Sequence, residues 1–276
     1  MIAVLDDAGR AVALARPAQR IVSLVPSLTE ALFALGRGEA LVGVTRYCTE
    51  PAGEVERIER VGGTKNPDLE RISVLQPDLV VVNAEENRKE DFDALARVGM
   101  SVFVSFSHRV RDVPALLERL GALTGGLAAA GRLANDLNAT LDAMELPHTF
   151  RRPRVFCPIW KNPWMGFNRD TYADDMLWSA GGDNVCRDHT DRYPTVTLEG
   201  IAATAPEVIL LPDEPYVFRE KDLPSLGSLT GTPAYRTQQI HFIDGKALSW
   251  YGPRSSRALR DLRRLLVDCP PHRLTD

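Results

Sequence analysis

The chain has 276 residues, 44% hydrophobic and 25% charged, a mixture that fits a folded globular protein and excludes a fibrous, disordered or disulfide-stapled one. With 33 basic and 37 acidic residues its formal net charge is -4, which argues against general nucleic-acid binding, because phosphate contact needs a basic excess. No run of about 18 apolar residues is present to span a membrane. Cys48, Cys157, Cys186 and Cys269 are scattered without a Cys-x-x-Cys pair, so they read as isolated thiols.

In chain order, residues 2–14 alternate around Asp6-Asp7-Ala8-Gly9 and predict a β-hairpin that closes a sheet edge. Residues 21–25 predict a buried strand stopped by Pro26. Ser27, with Glu30 three positions on, predicts the N-cap of a helix over 28–35. A strand over 41–44 follows, then a helix and strand over 68–82, an amphipathic helix over about 90–98 and a strand over 102–105. From Pro114 the pattern is helical, broken at Gly125-Gly126. Leu127, Ala130, Leu133, Leu137, Leu141 and Met144 then recur at helical spacing until Pro147. A helix of about 19 residues there would extend roughly 29 Å. Beyond it come a strand over 154–158, a helix over about 171–180 ended by Gly181-Gly182, a second helix-strand pair, a strand over 240–243 and a last helix over about 255–267.

The helix-strand pair is stated twice. Leu69-Glu70-Arg71-Ile72 with Pro77-Asp78-Leu79-Val80-Val81-Val82 returns 129 positions later as Leu198-Glu199-Gly200-Ile201 with Pro206-Glu207-Val208-Ile209-Leu210-Leu211. Each copy reads as a short helix followed by a wholly apolar strand of the kind a parallel sheet buries on both faces. The fold class expected is therefore α/β: two doubly wound parallel-sheet lobes bridged by a single long α-helix. Residues 1–110 form one lobe, 111–150 the helical connector and 151–276 the other lobe. Two such lobes facing each other predict a ligand cleft.

Six stretches occurring in order resemble the iron-siderophore and cobalamin substrate-binding proteins of ABC importers. They are Arg20-Ile21-Val22-Ser23-Leu24-Val25-Pro26-Ser27-Leu28-Thr29-Glu30, the Tyr47-Cys48 to Pro51 loop, Asn66 to Ile72, Pro77-Asp78, Gly181-Gly182-Asp183-Asn184-Val185, and Tyr193-Pro194 leading into Leu198-Glu199. The resemblance covers nearly the whole chain. It implies a class III periplasmic-binding-protein fold, a metal chelate (cobalamin, haem or ferric siderophore) as bound ligand rather than intrinsic cofactor, and little closure on binding. It further implies that one outward Glu per lobe, Glu70 and Glu199, pairs with Arg residues of an ABC permease. A Glu in a helix first turn also offsets the helix dipole, by about 0.3–1 kcal/mol. Tyr193 matches an aromatic ligand position of cobalamin-binding members, whereas Thr64 and Asn83 stand where those members have tryptophans.

Loops after parallel strands face the ligand crevice, so the aromatic and charged residues there are candidate ligand-binding residues: Tyr47, Glu85, Glu86, Trp160, Trp164, Trp250, Tyr251 and Arg254, to which the resemblance adds Tyr193. Tyr216-Val217-Phe218 are weaker candidates. The Arg151-Arg152-Arg154 and Arg260-Arg263-Arg264 clusters read as solvated surface. No metal site is expected, since the five histidines are far apart and Asp188-His189-Thr190-Asp191 reads as a polar loop. No Gly-x-Gly-x-x-Gly, phosphate loop or Gly-x-Ser-x-Gly elbow is present. The function expected is thus a non-catalytic, monomeric receptor for a small-molecule metal chelate. Met1 is followed by a short Ile-Ala-Val-Leu run and Asp6-Asp7 rather than a signal-peptide core, so the sequence as written reads as cytoplasmic, or as extracytoplasmic if a leader is missing. Two alternatives stand beside the importer reading: a cytoplasmic chelate trafficking or sensing protein without a permease, and an enzyme acting on a small molecule in the same cleft.

Overall fold

The structure, a computed structural model, describes residues 1–268; Cys269 and His272 lie outside the described residues. It divides into two packed units, one of residues 1–107, 111–138 and 251–253, the other of 108–110, 139–250 and 254 onward.

In the first unit β1 (Ile2–Leu5) and β2 (Ala11–Leu14) form an antiparallel hairpin. Strands β3 (Ile21–Ser23), β4 (Leu41–Val44), β5 (Leu79–Asn83) and β6 (Val102–Ser105) make an all-parallel sheet ordered β4-β3-β5-β6. Its helices are α1 (Pro26–Ala34), α2 (Leu69–Val74), α3 (Lys89–Arg97) and α4 (Val113–Thr124), followed by α5 (Leu127–Ala143), which begins in this unit and ends in the next. In the second unit β7 (Arg154–Phe156), β8 (Asp183–Asn184), β9 (Val208–Pro212) and β10 (Ile240–Ile243) form a parallel sheet ordered β10-β9-β7-β8. Around it are α6 (Tyr172–Ala180), α7 (Leu198–Ala203), α8 (Pro233–Arg236), α9 (Lys246–Ser249) and α10 (Ser255–Arg263). Each sheet has the same order: its second strand lies beside its first, then come the third and fourth. These are two doubly wound α/β lobes of one plan. No described helix is long and apolar enough to cross a membrane.

The sequence repeat is also a structural repeat. Asp68 and Thr197 cap α2 and α7 by accepting the backbone N–H of Arg71 (2.9 Å) and Gly200 (3.1 Å). Both helices are followed by a left-handed residue ahead of the proline, Gln76 (φ 47°) and Ala205 (φ 48°). The acidic residue after each proline then ties down the neighbouring strand. Asp78 accepts the N–H groups of Gln19 and Arg20 at 2.8 and 3.1 Å, and Glu207 accepts that of Arg154 at 3.0 Å. Strands β5 and β9 are buried along their whole length, so helices must cover both faces. On one face Ile72 packs with Val80, Val82, Phe92 and Val104; in the second unit Ile201 packs with Ile209, Leu211 and Phe156.

The outer edge of β6 is closed by the hairpin turn. Asp7 donates its N–H to the Val104 carbonyl at 2.9 Å, and the Asp6 and Asp7 carboxylates accept the N–H groups of Val104 (3.2 Å) and Phe106 (2.7 Å). Two expectations change. Helix α1 begins at Pro26 with Val25 as N-cap, and Ser27 lies inside it without a capping bond, because proline's fixed φ and missing N–H suit the first helical position. The long helix α5 has 17 residues, and its buried stripe is Ala130, Ala134, Leu137 and Leu141, leaving Leu127 exposed.

Ile72→Ala and Ile201→Ala should each cost about 2–5 kcal/mol, read as a lower urea midpoint. An unchanged midpoint in either variant would deny that its helix anchors its sheet.

Candidate functional site

With the strand order of these sheets the connections part company between the first and third strands, and the carboxyl ends of those two strands border an open crevice. In the first unit this crevice is bordered by the chain after β3 and after β5; in the second, by the chain after β7 and after β9.

After β5 the turn is built by two asparagines. The Asn83 carboxamide oxygen accepts the N–H groups of Glu85 and Glu86 at 2.7 and 2.9 Å, and Asn87 accepts the Asn83 N–H at 2.8 Å. Asn87 also donates to the carbonyls of Leu24 (3.1 Å) and Thr64 (2.9 Å), which locks the turn to the β3 end and to the Gly62–Pro67 loop. Lys65 reaches the Glu85 carbonyl at 2.6 Å. Glu85 is exposed and Glu86 half-buried at the strand end. Tyr47, in the loop after β4, is 53% exposed, with the Arg46 guanidinium 5.5 Å from its ring. Asn83 and Thr64 are thus parts of a polar lock rather than a stacking surface.

The second unit has the aromatic edge. Trp160, 43% exposed, meets the Tyr216 ring edge-on at 5.7 Å; Trp164 stacks on buried Phe218 at 5.8 Å; and Tyr216 and Phe218 lie 4.6 Å apart. Two short bridges, Trp160 with Met165 and Met165 with Thr195, fold this loop back on itself. Beneath it lies Asp222, 3% exposed, which accepts from Lys161 Nζ (2.7 Å), the Tyr216 hydroxyl (3.3 Å) and the Arg219 N–H (3.0 Å). The Lys161 ammonium holds the Asp222 carboxyl below the usual carboxylate range. Tyr193 is exposed nearby in sequence, with Arg192 5.9 Å from its ring.

The repeat shows how the two edges diverged. Glu85 corresponds to Glu214 and Asn87 to Tyr216, each 129 positions on. Where Asn87 fastens a turn, Tyr216 presents a ring. Where Glu85 is exposed, Glu214 is partly buried and accepts the Trp250 indole N–H at 2.7 Å, and burial pushes its pKa up.

Trp250 and Tyr251 lie in the interior, 6% and 5% exposed. Lys246 and Arg254 flank the Trp250 ring at 4.9 and 5.0 Å. The Tyr251 hydroxyl bonds to Ser105 at 2.8 Å and accepts from the Asn83 amide. Their Gly252-Pro253 neighbours suggest an open loop, yet both rings pack and hydrogen-bond. Arg254 also pairs with Asp244 at 3.4 Å. Asp222, Glu214 and Asn87 are site-building residues outside the expected set, and Asn83, expected only as a departure from a tryptophan position, is a fourth. The asparagines bracketing Glu85-Glu86 were the one available signal. Glu70 and Glu199 occupy equivalent exposed positions in the first turns of α2 and α7, and Glu199 accepts from Ser228 at 2.8 Å, which lowers its pKa.

Residues 21–247 match the family model described as periplasmic binding protein. A vitamin B12-binding protein of Vibrio parahaemolyticus is 28% identical over 196 residues, 70% of either chain. Among solved structures, the periplasmic vitamin B12 binding protein BtuF of Vibrio cholerae superposes with a TM-score of 0.79 at 22% identity, covering 90% of this chain and 96% of that one. The periplasmic heme-binding protein RhuT from Roseiflexus sp. RS-1 superposes at 0.78 with 26% identity, covering 90% and 97%.

The folded pKa of Asp222 lies below its unfolded value, so its pairing with Lys161 adds stability above the ordinary carboxylate range and loses it as pH falls through the depressed value. Asp222→Asn should lower the melting temperature at neutral pH and flatten the acid limb of the stability curve below about pH 4. An acid limb identical to that of the parent protein would exclude the pair as an anchor.

Proposed function

Because the chain belongs to the periplasmic binding protein family, we propose that it is a substrate-binding protein that captures a metal chelate of the corrinoid or haem class and delivers it to an ABC importer. The observation that carries this reading is the aromatic edge of the second unit. An exposed Trp160 braced by Tyr216, and a Trp164 stacked on Phe218, offer large flat rings at the carboxyl edge of the sheet. Aromatic rings held rigid in this way suit the faces of a planar macrocycle, adding about 0.5–1.5 kcal/mol per ring pair beyond area burial. The names of the relatives, vitamin B12-binding and heme-binding, point to the same ligand class.

In this reading Trp160, Trp164 and Tyr193 stack on the chelate and Arg254 meets its anionic substituents, with Trp250 and Glu214 holding Arg254's loop. The first unit offers Tyr47, Glu85 and Glu86, with Tyr251 fastening the Asn83 turn that places the two carboxylates. Ligand is bound without turnover, and the place of work is extracytoplasmic. Glu70 and Glu199 are the docking carboxylates for basic residues of the permease, each at a capped helix start that fixes its direction.

Titration of tryptophan emission with cyanocobalamin, cobinamide, haemin and a ferric siderophore, with co-elution as a check, should give saturable one-to-one binding to one of the first three. Trp160→Ala should weaken it by about tenfold, equivalent to about 1.4 kcal/mol. No binding across the panel would sink the proposal. Glu70→Ala combined with Glu199→Ala should leave that affinity within about twofold of the parent yet stop uptake in vesicles carrying the permease and ATPase. Normal uptake would remove the docking assignment.

A further inference from the structure

The second unit carries a cavity that no part of the chelate reading uses. It lies at the amino ends of β7 and β8, on the opposite edge of that sheet from Trp160 and Tyr216. Its volume is about 470 Å³, and His148, Arg151, Arg152, Arg154, Trp178 and Asp183 are among its lining residues. The sequence pattern suggested that Arg151, Arg152 and Arg154 are solvated surface, but Arg152 and Arg154 are half-buried.

The charges do not cancel among themselves. Arg151 and Arg154 share Glu207, at 2.8 and 3.7 Å, and Arg187 pairs with buried Asp174 at 3.3 Å. Arg152 has no carboxylate in ion-pair contact among the described residues. Its Nη1 donates to the Trp178 carbonyl, and its guanidinium lies 3.9 Å from the centre of the Trp178 ring, the same distance as that of Arg187. Arg263, close enough to repel Arg152, is likewise satisfied among the described residues by carbonyls, those of Ala180 (3.4 Å) and Met144 (3.0 Å). Burial, then repulsion from Arg187 and Arg263, lowers the pKa of Arg152, with Asp183 opposing. Crowding cations in a half-buried cavity is unfavourable for folding by itself, and an external anion relieves it. The Nε and Nη2 donors of Arg152 have no partner among the described residues and form a planar fork of the kind that binds tetrahedral oxoanions bidentately, with Arg151 and His148 on the same cavity wall.

We propose that this amino-edge cavity of the second unit is an oxoanion site for a phosphate group, with Arg152 as its principal donor and Arg151 and His148 beside it. Such a group comes from a soluble phosphate or from the headgroup of an anionic lipid. The site is separate from the aromatic edge and does not depend on which chelate is bound there.

The test is calorimetric titration of the full chain with inorganic phosphate and with pyrophosphate at low ionic strength. It is paired with co-sedimentation on phosphatidylcholine vesicles containing about a third phosphatidylglycerol. Saturable binding of a soluble phosphate assigns a free ligand, whereas binding to the anionic vesicles alone assigns a headgroup; both outcomes support the site. Arg152→Gln should weaken whichever binding is seen by at least about tenfold, and Arg152→Lys, which keeps the charge but not the fork, by less. Far-UV circular dichroism of both variants should match the parent, and if Arg152→Gln misfolds, His148→Gln and Arg152→Lys take over the comparison. Absence of binding to all three probes, or binding undiminished in folded Arg152→Gln, overturns the proposal.

Discussion

The structure depends on the burial of β5 and β9 on both faces. Two runs of five strand positions, Leu79–Asn83 and Val208–Pro212, are buried throughout. A strand with two buried faces cannot carry chemistry on either of them, and its backbone groups must be paired on both sides. Each unit therefore has a parallel sheet covered by helices, and polar or aromatic function is pushed to the strand ends. Asp78 and Glu207 serve the amino ends by capping neighbouring strands. The carboxyl ends, free of that duty, hold the candidate ligand groups.

Within that shared plan the two carboxyl edges have become different surfaces. The first is polar and rigid, a turn closed by Asn83 and Asn87 that sets the directions of Glu85 and Glu86. The second is aromatic, and the polar residues beneath it, Asp222 and Lys161, support rings rather than present themselves. Glu85 and Glu214 illustrate the divergence. They hold the same place in the repeat, but one remains at the surface while the other is drawn inward by the Trp250 indole.

The amino edge of the second unit shows a different economy of charge. Glu207 is committed to Arg151, Arg154 and the start of β7, and Asp174 to Arg187 and Asn184. Among the described residues that leaves Arg152 and Arg263 with carbonyl oxygens for partners. Carbonyls satisfy hydrogen-bonding capacity but not net charge, and this difference separates a structural arginine cluster from one with capacity for an anion.

Fold class, repeat and family are legible in the order of residues alone. Wholly apolar runs after Pro77-Asp78 and Pro206-Glu207 fit strands covered on both sides, and their recurrence at a fixed offset implied two such lobes. The sequence also located the loops that hold the candidate ligand groups, since loops after parallel strands converge on one edge. It did not determine which residues of those loops are open. Trp250 and Tyr251 sit beside Gly252-Pro253 and look exposed, yet their burial depends on Glu214, Ser105 and Asn83, which lie between 36 and 168 positions away. Likewise Ser27 has the residue type of an N-cap, but the proline before it had already started the helix. The three arginines at 151, 152 and 154 look alike in sequence. Only the tertiary structure gave two of them Glu207 and left the third against Trp178, because a charge's partner is set by proximity in space and no local pattern encodes it.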